Sequence, residues 1–101
     1  MSHHLLHTVN KSPFSHNALK SCLDRVQSGD SVLLLEDGVY GALISQPWAM
    51  QMNPSAQYYA IAADIEARGL DQEKLLSHIT LIGYDKFVDL SIQHSSTHSW
   101  Y

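Results

Sequence analysis

A chain of 101 residues with a formal charge of −4, 16% charged residues and one cysteine has room for one domain around one core. Its six cations, Lys11, Lys20, Arg25, Arg68, Lys74 and Lys86, are scattered along an acidic chain, which excludes the basic stripe that direct nucleic-acid binding needs. A lone Cys22 excludes an internal disulfide and fits a reducing cytoplasm, and no apolar run approaches the ~20 residues that cross a bilayer.

The opening Met1-Ser2-His3-His4 lacks a basic n-region and a long apolar h-region, so a signal peptide is not expected. Leu5–Val9 then reads as a first strand, and Pro13 marks the loop after it. Residues 15–28 read as a helix capped by Ser15 or Asn17. Ala18, Leu19, Cys22, Leu23 and Val26 share one face of it, and Gly29 ends it. Residues 31–36 carry a continuous apolar run, the mark of a strand covered on both faces in a parallel sheet.

Asp37-Gly38 marks a turn, and 39–45 a short helix. The stretch bracketed by Pro47 and Pro54 has no clear assignment. Residues 58–62 read as a second central strand, 64–69 as one or two helical turns, 72–76 as a further turn and Ile79–Ile82 as a strand. Residues 85–93 read as a last helix with Phe87, Val88 and Ile92 facing inward, followed by a polar, frayed tail from His94. The alternation predicts a small single-domain α/β fold over 1–101: a mostly parallel sheet of about four or five strands with flanking helices.

Few residues carry chemistry. Cys22 is the one strong nucleophile, but its place within an apolar stripe argues for core packing, and mid-helix it gains nothing from a helix N-terminus. The histidines group as His3, His4 and His7 at one end and His94 with His98 at the other, without a second cysteine to complete a zinc site. Asp37-Gly38 lies just past a parallel strand, where α/β proteins place ligands, yet the pair forms a plain turn on its own account. Phosphate-binding loops, metallopeptidase motifs and nucleophile elbows are absent, so no metal, nucleotide or other cofactor is called for. Trp100 and Tyr101 are two large aromatics expected to dock onto the core or a partner. The low charge fraction, below the roughly 25% of ordinary soluble domains, points to a surface covered by another chain.

The residues from Leu6 to Phe14, Ser21-Cys22-Leu23, Gly29-Asp30, the run from Leu33 to Val39, the run from Tyr84 to Leu90 and Trp100 resemble the TusB/DsrH family across nearly the whole chain. The stretch 45–56 resembles it least. The resemblance implies a DsrE/F/H-like fold and a place as the B/H-type member of a cytoplasmic sulfur-relay complex. It implies TusC/DsrF-like and TusD/DsrE-like partners in a dimer of heterotrimers, with no membrane and no direct nucleic-acid contact. Persulfide sulfur then passes from a TusA-like donor towards a TusE-like acceptor and ends as 2-thiouridine at the tRNA wobble position. The principal sulfur-carrying cysteine belongs to the D/E-type subunit. Cys22 matches a cysteine of DsrH-type members, which makes it a candidate auxiliary persulfide carrier alongside the core-packing reading. Two alternatives stand beside this one: a DsrH-type subunit of dissimilatory sulfur oxidation, and a non-catalytic homo-oligomeric binding protein.

Overall fold

The computed structural model of the protein describes residues 4–101. The first three residues, including His3 of the amino-terminal histidine group, lie outside the described residues. Five strands form one sheet: β1 (Leu5–Val9), β2 (Ser31–Leu34), β3 (Gln57–Ile61), β4 (Ile79–Ile82) and β5 (Ser96–Trp100), in the order β4-β3-β2-β1-β5. All four neighbouring pairs are parallel. Among the described residues three α-helices cover it: α1 (Ala18–Leu23), α2 (Ala62–Ala67) and α3 (Tyr84–Gln93).

Crossover handedness sorts these helices between the two faces. From β1 to β4 the chain steps one way across the sheet; from β4 it returns past β1 to β5. Right-handed crossovers therefore put α1 and α2 on one face and α3 on the other. The packing follows. Val9, Val32, Leu34, Tyr58 and Ala60 meet Leu19, Cys22, Leu23 and Ile65 on the first face. Leu6, Leu33, Ile61 and Ile82 meet Leu90 on the second. All four residues of β2 are buried, as a continuous apolar run between two helical layers requires.

Local chemistry trims the expected elements. The helix expected over 15–28 is only Ala18–Leu23. Ser12 takes the amides of Ser15 and His16 into a separate turn, and Asn17 precedes the helix without a side-chain cap bond. After Leu23 the chain tightens, with the Arg25 amide bonding the Cys22 carbonyl, until Gly29 turns it at φ 89°. β2 stops at Leu34 because Glu36 adopts φ 50° and a 3₁₀ run, Glu36–Ala42, begins there. That run starts before the short helix expected over 39–45. Gly38 inside it passes so close to β1 that a Cβ would overlap the Val9 carbonyl. The unassigned proline-bracketed stretch contains a second 3₁₀ run, Pro47–Gln51.

Two expectations are corrected. Val88 and Ile92 do not face inward; they are 57% and 76% exposed. The inward stripe of α3 is instead Phe87, Leu90 and, one position past the helix, His94, spaced i, i+3, i+7. The polar tail is not frayed either. It pairs with β1 from Leu5 opposite Ser96 to Val9 opposite Trp100, and its Ser, Thr and His side chains suit an edge strand facing water.

A buried polar knot ties β1, β2 and β5 together. Asp30, 3% exposed, accepts the Leu5 amide on Oδ1 and the Gln27 amide on Oδ2. Its Oδ2 also lies 2.9 Å from Nε2 of His7, and Nδ1 of His7 accepts the indole N–H of Trp100 at 3.1 Å. His94 bridges the Leu90 carbonyl and the Ser31 hydroxyl, and the Ser95 amide and hydroxyl both donate to the His4 carbonyl. Burial alone would raise the Asp30 carboxyl, but the bonds from Leu5, His7 and Gln27 and the attraction of His7 hold it below its ordinary value of 3.8.

Two measurements test this account. Gly38→Ala sets a Cβ against backbone rather than a yielding side chain, so urea unfolding should show a loss of about 2 kcal/mol or more. Asp30→Asn replaces one acceptor oxygen with an NH2 that faces N–H donors, and should cost about 2–3 kcal/mol at neutral pH. Because the folded carboxyl sits below 3.8, its contribution is complete above 3.8 and is lost as pH falls through the lower folded value. Unfolding curves taken between about pH 5 and pH 2 should therefore drop more steeply for the wild type than for Asp30→Asn.

Candidate functional site: a buried cysteine and an uncharged surface

Cys22 lies in the middle of α1, on the stripe that packs against the sheet, and is wholly buried. Burial first, and the negative charge of Asp30 second, push its thiol up to about 12. Attack on a persulfide needs a thiolate that another molecule can reach. In this conformation Cys22 is neither ionised at neutral pH nor in contact with solvent.

The histidines are separated by function. His7 belongs to the polar knot, not to a surface metal group. His94 is spent on Leu90 and Ser31, while His98 is exposed and stacks on Trp100 at 4.3 Å. Among the described residues, no three His, Cys, Asp or Glu side chains converge on a point that would hold a metal ion. The Asp30 partner of His7 was not foreseeable from spacing. The readable signal was a histidine inside an apolar strand, which demands a buried polar partner somewhere.

At the carboxyl ends of the strands, polar groups bind one another. Arg68 Nε donates to Asp37 Oδ1 at 3.0 Å and Nη1 to the Asp64 carbonyl at 3.2 Å. Asp64 Oδ2 accepts the Glu36 amide at 2.7 Å and the Tyr84 hydroxyl at 2.9 Å. Asp37-Gly38 thus closes the β2 exit against α2. Its carboxylate is held by Arg68 rather than presented to a crevice.

The surface is more informative. From residue 38 to residue 63 there is no Asp, Glu, Lys, Arg or His. Much of this stretch faces water, including Ile44 and, at 91% exposure, Met50. Phe14, itself exposed, sets its ring edge-on to Tyr40 at 6.2 Å and Trp48 at 5.3 Å. Trp48 is anchored by its indole N–H on the Gly41 carbonyl. These residues make an aromatic patch, and a cavity of about 270 Å³ opens among Met52, Asn53, Pro54, Ala56 and Tyr58 of the same run and His78. A second apolar stripe, Tyr84, Val88 and Ile92, runs along the outer side of α3 at i, i+4, i+8. Trp100 packs on the core, whereas Tyr101 is 86% exposed. Exposed apolar patches of this kind mark contact with another protein more often than chemistry.

The sequence profile of the DsrH like protein family matches residues 11–97. The TusB protein of Pectobacterium atrosepticum is 37% identical over 97 residues, 95% of this chain and all of that protein. The TusB protein of Serratia proteamaculans is 40% identical over 98 residues, with the same coverage. Among solved structures, the solution structure of Thermotoga maritima Tm0979 superposes with a TM-score of 0.67 at 28% identity, covering 88% of this chain and 92% of that one. The ychN protein of E. coli superposes at 0.77 over 97% of this chain and 99% of its own, at 10% identity, so there the fold alone is shared. No helix among the described residues is long and apolar enough to cross a membrane. With a family match across most of its length and relatives that align end to end, the chain belongs to the DsrH family, which its TusB relatives share.

Proposed function

We propose that this chain is the B/H-type member of a cytoplasmic sulfur-relay complex and that it works by assembly rather than by its own thiol. The observation that carries this reading is the uncharged run from residue 38 to residue 63, which leaves Ile44 and Met50 exposed. TusC/DsrF-like and TusD/DsrE-like subunits are the partners that family membership implies, arranged as a dimer of heterotrimers. The D/E-type partner carries sulfur as a cysteine persulfide. An acceptor thiolate attacks the outer sulfur, the S–S bond breaks, and the carrier cysteine leaves as a thiolate, so no external oxidant is consumed. The donor is TusA-like and the acceptor TusE-like. The relatives named TusB weigh towards tRNA wobble-uridine thiolation over sulfur oxidation.

Cys22 acts in this scheme as a core residue. The sulfur it buries serves as a small apolar group, and its high thiol value makes it a poor carrier.

Native mass spectrometry of this chain co-expressed with the C/F- and D/E-type proteins of its host should yield a complex holding all three. Met50→Asp, which places a charge on a highly exposed side chain, should weaken that complex at least tenfold while leaving the melting temperature within a few degrees. A wild-type chain that stays alone under these conditions would remove the assembly reading. Cys22→Ser should keep full sulfur flux in the reconstituted relay. The wild-type thiol in the folded chain should resist alkylation at pH 8 and react only on unfolding; sulfur flux abolished by Cys22→Ser with assembly intact would instead assign it a carrier role.

A further inference from the structure

The C-terminal strand is the element that assembly leaves unexplained. β5 joins the sheet along β1 alone, and its residues 96–99 are polar and exposed. Apart from the Ser99 hydroxyl, which accepts the Thr8 hydroxyl at 3.2 Å, its side-chain hold on the domain is at Trp100, which packs on the core, stacks on His98 and donates its indole N–H to Nδ1 of His7. An indole nitrogen can only donate. Nδ1 of His7 must therefore keep its lone pair, and the single ring proton must sit on Nε2, where it donates to Asp30 Oδ2. While Trp100 is docked, His7 is fixed in one neutral tautomer.

The groups around His7 define what acid would do. Asp30 faces it from the turn before β2, and His98 and Trp100 face it from β5, their ring centroids 6.5 and 6.2 Å from its own. Val32 of β2, its register partner, is uncharged. On α1, Cys22 feels the Asp30 charge. The His4 ring lies against Gly29, next to Asp30, and His94 holds Ser31 on the other side of Asp30. A second proton on His7 has one place to go, Nδ1. There it gains the attraction of the Asp30 carboxylate through the unchanged Nε2 bond, and it meets the Trp100 N–H donor to donor.

We propose that β5 is a pH-gated latch. With His7 neutral, Trp100 locks the strand onto β1. A proton taken up at Nδ1 expels the indole and frees the strand, which uncovers the backbone edge of β1.

The test needs only the intact chain. Nitrogen shifts of His7 at pH 7.5 should report the Nε2–H tautomer, and finding the proton on Nδ1 would overturn the proposal. Between about pH 7.5 and pH 5.5, hydrogen-exchange protection of β5 amides, taken relative to β2 and β3 amides, should fall at least about tenfold. A ratio that does not change would overturn the proposal equally. Trp100→Phe keeps an aromatic ring and removes the donor, so the acid-dependent fall should vanish in that variant. Its persistence would transfer the effect to His94 or His98 and sink the assignment to His7.

Discussion

A parallel sheet must be covered on both faces, and this chain has very little with which to cover it. Two six-residue helices and one ten-residue helix serve five strands. The consequence is a core that is complete only in the middle, at β1, β2 and the inner part of β3. Towards β4 burial falls away, with Thr80 exposed and Ile79 and Leu81 only half-buried. The extra cover comes from irregular chain, the 3₁₀ runs between β2 and β3, whose Val39 and Ala42 belong to the core while Met50 stands in water. An apolar sequence forced into a thin outer layer buries one side and exposes the other. The uncharged surface is thus a by-product of the same economy of length that makes partner contact favourable.

Thin cover also explains why polar groups do structural work inside. Asp30 holds three donors from two segments, and its charge is compensated only because each oxygen is used. Without that carboxylate the start of β1, the exit of α1 and the ring of His7 would each carry an unmet polar group in a dry site. Trp100 extends the knot to the sheet edge, so a strand with almost no apolar content still has a defined place. Besides the β1 ladder and one hydroxyl bond to Thr8, that place rests on a single indole, packed on the core and bonded to His7.

Much of this fold was legible. Leu5–Val9 and Ile79–Ile82 form strands with the bounds their composition suggested, and the apolar face of α1 is the buried one. Period and β-branched content carry that information locally. β5 was hidden because an edge strand facing water needs no apolar alternation, and Ser-Thr-His-Ser reads as tail. The phase of α3 was misjudged for a related reason: Val88 and Ile92 are apolar without being core, and only the position of β2 and β3 shows that Phe87 and Leu90 are the residues in reach. Long-range partners such as Asp30 for His7 leave no spacing signal at all. Cys22 is the instructive case in the other direction, since the apolar stripe around it correctly forecast burial.

That burial bears on how a relay subunit can be useful without handling sulfur. Persulfide sulfur is lost to any competing thiol that can reach it, so a second exposed, ionised cysteine beside the carrier would divert transfer rather than speed it. A thiol raised to about 12 and sealed beneath α1 does not compete. What such a subunit contributes in the proposed complex is surface, with Phe14, Ile44 and Met50 exposed. In the proposed relay, a sealed thiol on this chain leaves transfer to the partner cysteines that carry the sulfur.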